Sequence, residues 1–285
     1  MNFLRFRKLI WDISSQTTHF KGKESFVDLI SRPRAVNKVL INRQDVNWCL
    51  QGHDLNEFYI AIRKNHSAHL SQFLTNEIER NNIKIFWDIG ANIGAISLPI
   101  LKKFSNLQAV LFEPSPEVAG RLITNLSNNT DLCSRAKILN IALSDSVGIS
   151  NFFVSNETLN SGVAGLGVSH NRHQFAIGVQ TYTGDSLVEN NNYAPPQLIK
   201  IDVEGFEIEV FKGFKKTLQQ YHPTIIFEHN LYRFKERNQS INTVTSFLES
   251  LGYSIYSQLS NKKIVDDDLK SDGDFIARAS SVSPS

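Results

Sequence analysis

Between Lys84 and Glu113 the chain reads KIFWDIGANIGAISLPILKKFSNLQAVLFE, and few folds accommodate that order of residues. The apolar run Ile85-Phe86-Trp87 suits a strand buried on both faces. It ends on Asp88, and Gly90 and Gly94 follow with Asn92 between them. From Ile93 the apolar spacing turns helical, with Ile96, Ile100 and Phe104 at steps of four, until the polar pair Ser105-Asn106. A second apolar run, Ala109 to Phe112, stops on Glu113. Strand, glycine loop, helix and acid-terminated strand make the first half of a nucleotide-binding α/β sheet.

Each part of that half has a physical task. Gly90 lets the chain turn where a side chain would block a ligand, and Gly94 lets the helix begin close to the sheet. An acid closing the second strand, about 20 residues beyond the loop, is placed to accept hydrogen bonds from both hydroxyls of a ribose; Glu113 takes that role. The spacing also selects among ligands. A dinucleotide loop needs G-x-G-x-x-G, whereas G-A-N-I-G offers no third glycine, and no lysine follows Gly94 to make a phosphate cradle. Asp88 ahead of the loop repels a pyrophosphate and suits a ligand bearing an ammonium or sulfonium charge.

Four segments in order, Asp88-Ile-Gly-Ala-Asn-Ile-Gly94, Phe112-Glu113-Pro114, Ala142-Leu-Ser-Asp145 and Lys200-Ile-Asp-Val-Glu-Gly205, resemble the motifs of the FkbM-type S-adenosylmethionine-dependent methyltransferases. The resemblance covers roughly Ile83 to Asn230. It implies the Rossmann-like class I methyltransferase fold: a mostly parallel seven-stranded α/β sheet, helices on both faces and a reversed last strand. It also implies S-adenosyl-L-methionine as cofactor and methyl transfer to oxygen on a small molecule or carbohydrate. The cofactor would then lie along Asp88, Gly90, Ala91, Asn92 and Gly94, with its ribose on Glu113 and its adenine near Ser115 and Asp145. Asp145 also reads as the aspartate of a turn, Asp145-Ser-Val-Gly148.

The second half of the chemistry falls on a strand from Leu198 to Val203, where Lys200, Asp202 and Glu204 alternate with Ile199, Ile201 and Val203. A polar face on a central strand is costly unless it is paired. Asp202 and Glu204 are expected to face the cofactor cleft, with Lys200 as partner. One helix is expected from Phe206 to Leu218. The next strand, Thr224 to Glu228, leads into His229, whose neutral-range titration suits proton removal. Asp202 and His229 are therefore the two candidate bases, with Glu204 or Lys200 holding one of them. No metal is assigned, because no further acid with ligand spacing is evident around Asp202 and Glu204.

The rest of the chain adds context. Its 285 residues, 41% hydrophobic, are enough for one large core. A formal charge of +2 gives no footprint for nucleic acid. Two cysteines, Cys49 and Cys133, do not make a disulfide framework. No apolar run reaches the length of a membrane span, and a cytoplasmic location is the expectation. Residues 1–82 are read as a mainly helical extension, a candidate lid, its clearest element lying between Leu55 and Glu79. Residues 83–279 form the catalytic domain and 280–285 a disordered tail. Ala136 to Leu143 is expected as the third strand. A β excursion is expected over residues 149–184, with the glycine-rich stretch Asn160 to Gly167 bordering the acceptor site, and Asp185 is expected to cap a helix from Ser186. The contrasting reading is a non-catalytic scaffold that keeps the cofactor fold; oligomeric state stays open.

Overall fold

The computed structural model describes residues 38–50, 57, 60–61, 68–155, 165–166, 174–190, 193–237, 239–260, 262–264 and 271–279. It opens with a hairpin, β1 (Val39–Arg43) and β2 (Val46–Leu50), followed by α1 (Ala68–Asn81). Strands and helices then alternate: β3 (Ile85–Ile89), α2 (Ser97–Lys103), β4 (Gln108–Phe112), α3 (Pro116–Ser127) and β5 (Ala136–Leu139). Four more strands come next, β6 (Ala142–Leu143), β7 (Gly148–Ser155), β8 (Gly165–Leu166) and β9 (Gln174–Tyr182). The last stretch holds α4 (Gly184–Asn190), β10 (Leu198–Ile201), α5 (Glu207–Gly213), α6 (Lys215–Tyr221), β11 (Thr224–His229), α7 (Leu231–Glu236), α8 (Ile241–Ser250), β12 (Tyr253–Ser257) and β13 (Gly273–Ala279).

Seven strands make the main sheet, in the order β12-β13-β11-β10-β3-β4-β5. All neighbours from β11 to β5 are parallel, and β13 runs antiparallel to both β11 and β12. This is the seven-stranded sheet with a reversed last strand of the class I methyltransferases. The strand order reverses direction at β3, which has β4 on one side and β10 on the other. A crevice opens at such a switch point, beyond the carboxyl ends of the strands.

Period-two alternation splits the strands between two cores. Phe86, Leu111, Leu198, Ile226 and Ile276 face α1, α2, α3 and the hairpin. Trp87, Val110, Ile199, Phe227 and Ala277 face α4, α5, α6 and α8. Trp87 anchors the second layer, its ring edge-on to Phe214 at 5.7 Å and tilted against Phe112 at 5.2 Å.

Several boundaries differ from the sequence reading. The third strand ends at Leu139, because the Asn140 amide donates to the carbonyls of Glu113 (2.7 Å) and Pro114 (3.0 Å) and turns the chain. Residues 142–143 instead join a separate sheet, β6-β9-β7-β8. The helix expected over Phe206 to Leu218 is two helices broken at Phe214. Asp185 does not cap its own helix: its carboxylate accepts from the backbone N–H of Lys216 (3.0 Å) and Thr217 (2.8 Å), capping α6 from a distance.

The hairpin was not foreseen within the mainly helical extension. Val46, Trp48 and Leu50 are buried in the same core as Phe86. Asn129, itself buried, accepts from Asn47 N and donates to Asn47 O, both at 2.9 Å, while Asn125 accepts from Cys49 N at 2.8 Å. Two buried asparagines thus stand in for a neighbouring strand along the edge of β2. Residues 1–37 and most of 51–67, on which the lid expectation rests, lie outside the described residues, as do most of 160–167 and the tail.

Candidate active site

The loop after β3 is fixed by backbone geometry. Gly90 and Ala91 both donate to the carbonyl of Phe112, at 3.0 and 2.9 Å. Gly90 has φ of +79°, and a methyl group there would overlap the Asp202 carbonyl oxygen. Hence the glycine loop and the carboxyl end of β10 touch directly. Asn92 takes φ of +50°, aiming its N–H at Glu113 Oε2 (3.0 Å). The other oxygen, Oε1, accepts from Ser115 N (2.9 Å), and Ser115 in turn caps α3.

Glu113 is therefore a clasp between loop and helix. Burial raises its carboxyl to about 7, against the pull of the Ser115 and Asn92 N–H groups. A carboxylate has about four lone-pair sites, and two are used here, so the remaining ones are available to ribose hydroxyls. The bare Gly90 backbone and this half-filled carboxylate fit an adenosyl ligand. Gly90, Ala91, Asn92, Gly94, Glu113 and Ser115 lie together at the switch point. Asp145 is solvent-exposed beyond β6 and accepts from the hydroxyls of its neighbours Ser144 and Ser146.

Asp88 differs from its expected place. It is fully buried, accepts a hydrogen bond from Ser97 Oγ at the start of α2, and pairs with Lys200 Nζ at 3.3 Å. Its charge is met from within the protein, so it does not face a cationic ligand. Lys200 stands beside Asp88 in the β10–β3 register and also reaches Asp202 at 3.4 Å. Burial pulls the lysine down, but Asp88 and Asp202 together outweigh it and hold the ammonium above its ordinary range.

Beyond β10 the chain turns through Glu204 at φ of +55° and Gly205 at +94°. Two interactions hold that turn. Glu207 Oε1 accepts from Val203 N and Gly205 N, both 3.3 Å, and Arg233 of α7 binds Glu204 through Nε at 2.9 Å. Arg237 lies over Phe206, 3.2 Å from the ring centre, and pairs with Glu209 at 2.8 Å. The segment Asp202 to Phe206 is thus clamped from below by Glu207 and from above by α7.

His229 is not at this site. It belongs to the layer of the opposite sheet face, has no exposure, and packs against Phe275 and Phe234 with ring centres at 5.6 and 5.1 Å. One residue earlier, Glu228 points to the face of Lys200 and Asp202, since successive strand residues alternate. Asp202, Glu204 and Glu228 each offer an oxygen within 4.8 Å of the others. Glu228 was missed in the sequence, where the strand was read only as leading to the histidine.

Burial and neighbouring carboxylates raise several of these groups: Glu204 and Glu207 to about 7 and Asp274 to about 6. With Glu113 they hold protons in the folded chain that the unfolded chain has released, so the folded state binds more protons between about pH 4.5 and 7. Their contribution is complete below the unfolded value and is lost as pH rises through the folded one. The ligand-free protein is therefore expected to lose roughly 5 °C in Tm from pH 5 to pH 8 at constant ionic strength. Thermal scans showing a flat or rising Tm across that interval would contradict these environments.

Comparison with known proteins gives the family of the chain. The sequence profile of the methyltransferase FkbM domain matches residues 88–255, more than half of the chain. The chain belongs to the FkbM methyltransferase family. A hexuronic acid methyltransferase of Haloferax volcanii, AglP, is 32% identical over 159 residues, which span 55% of this FkbM-family chain and 60% of that protein. Among solved structures, methyltransferase FkbM from Methylobacillus flagellatus superposes with a TM-score of 0.47 at 16% identity, covering 68% of this chain and 43% of that one. An O-methyltransferase from Bacillus cereus in complex with SAH gives 0.45 at 17% identity, covering 76% and 83%. Among the described residues no helix is long and apolar enough to cross a membrane.

Proposed function

We propose that this FkbM-family chain transfers a methyl group from S-adenosylmethionine to a hydroxyl of a carbohydrate or small molecule. The observation that carries the reading is the contact of Gly90 with the Asp202 carbonyl, because it joins the cofactor loop to the acids that would receive the acceptor's proton. When bound, the cofactor supplies a methyl group on a positively charged sulfur; the new carbon–oxygen bond replaces the sulfur–carbon bond, whose electron pair stays on sulfur. Glu113 and the backbone from Gly90 to Asn92 hold the adenosyl part. Asp202 takes the hydroxyl proton, and Lys200 and Arg233 fix the charges around it. Positioning two bound reactants supplies much of the acceleration, up to about 7–11 kcal/mol in favourable cases.

The relative's name points to an acceptor class. An oligosaccharide that carries a hexuronic acid is the first acceptor to try, with neutral sugars and phenols beside it. Asp145 stays assigned to the adenine edge on its position after β6.

The experiment is calorimetric titration with S-adenosylhomocysteine, with NAD and ATP as controls, followed by transfer of labelled methyl to the acceptor panel. Saturable binding of the homocysteine product alone is expected, and Glu113→Ala should weaken it by roughly tenfold to a hundredfold. A folded protein that ignores the product and binds NAD would overturn the reading.

A further inference from the structure

The sheet gathers four acids on one face, at the carboxyl ends of β10 and β11 and the amino end of the antiparallel β13. Lys200 stands level with Ile226 in the β10–β11 register, so Asp202, two residues on, falls level with Glu228. Glu228 pairs in register with Asp274 of β13. Glu204 turns back over them from its left-handed position, and the oxygens of Asp202, Glu204 and Glu228 come within 4.8 Å of one another.

The cations near these acids are unevenly shared. Lys200 reaches Asp88 and Asp202, and Arg233 reaches Glu204 and Glu236. Among the described residues no lysine or arginine forms an ion pair with Glu228 or Asp274. Adjacent carboxylates in a half-buried site cannot all stay ionised, because each like charge raises the cost of the next. Either a proton or a second cation must fill the gap.

We propose that Asp202 and Glu228 share a single proton in the resting protein and act together as the proton acceptor of the methyl transfer, with Glu228 the unassigned catalytic partner. The proton resides on Glu228, since Lys200 lies against Asp202. The charge of Asp202, then burial, then the charge of Glu204 push the Glu228 carboxyl well above the carboxylate range. During transfer the acceptor hydroxyl loses its proton to the carboxylate of the pair, which then holds two protons and no charge. Asp202, with its side chain 40% exposed, returns one proton to solvent once the product leaves. A pair with one charge also repels an acidic acceptor less than a pair with two.

The purpose of the pair rests on the methyl-transfer reading, but its test needs neither cofactor nor acceptor, so the two can fail separately. Carboxyl-labelled glutamates are followed by carbon NMR across pH in the full chain, in wild type, Glu228→Gln and Asp202→Asn. Beyond the resonances of Glu113, Glu204 and Glu207, which titrate at about 7, one further wild-type resonance should titrate higher still, well above all three. It should vanish in Glu228→Gln and move down by more than about one pH unit in Asp202→Asn, whose neutral amide removes the largest cause. No such resonance in wild type would overturn the proposal, as would one that Asp202→Asn leaves in place. The titration is repeated with millimolar magnesium; a resonance that returns to the ordinary range shows a cation in the gap and overturns the shared proton.

Discussion

Asp202→Asn is expected to reduce methyl transfer by roughly a hundredfold to ten-thousandfold, while S-adenosylhomocysteine binds with little change. The two effects separate because two different parts of the residue are involved. The carbonyl of Asp202 touches the glycine loop, and a side-chain change leaves it alone. The carboxylate lies beyond it, beside Lys200 and among the acids. Lys200 keeps Asp88 as a partner at 3.3 Å, so the amide leaves no buried charge uncompensated and the fold should hold. Single-turnover transfer and product titration on the same preparation read the two quantities. Lost product affinity with retained transfer would reverse the roles given to loop and acid.

Gly90→Ala should have the largest effect on the fold, about 3–5 kcal/mol of stability together with loss of cofactor binding. A Cβ at φ of +79° is strained in itself, and it would overlap a backbone oxygen that no rotamer change can move aside. Relief would require β3 and β10 to part at their paired ends, where Ile89 stands level with Ile201. Gly120→Ala is the natural control. It lies on the exposed side of α3, nothing stands within 4 Å of its added Cβ, and helix propensity should raise stability by up to about 1 kcal/mol. Equal Tm changes in the two variants would show that the overlap at Gly90 is not the deciding term.

The glycine loop and the strand that ends on Glu113 were legible because their signals are local. Loop, helix, acid-ended strand and the helix capped by Ser115 follow one another between Lys84 and Ser127, and each has a residue-level mark. The catalytic half depends on partners far apart in the chain. Whether Glu228 or His229 faces Asp202 depends on the register of β10 against β11, which no single segment encodes. The break at Phe214 follows from capping by Asp185, about thirty residues away. The hairpin at Val39–Leu50 was hidden by its turn. Gln44 and Asp45 both take positive φ, 51° and 60°, in a sequence without the Asn-Gly or Asp-Gly pair that usually marks such a turn. Asp88 was misjudged because its place before the loop suggests a ligand, whereas its strand position puts it over Lys200.

The small sheet formed by β6, β7, β8 and β9 carries its own core of Ala142, Phe152 and Val179. It meets the main body where Ser144 lies so close to Gly213 that a methyl group on the glycine would overlap the serine carbonyl. Mutational damage in that outlying core stays local, because its three buried residues belong to neither large cluster. Drift can therefore lengthen, shorten or re-letter the excursion while the adenosyl clasp and the row of acids stay constant.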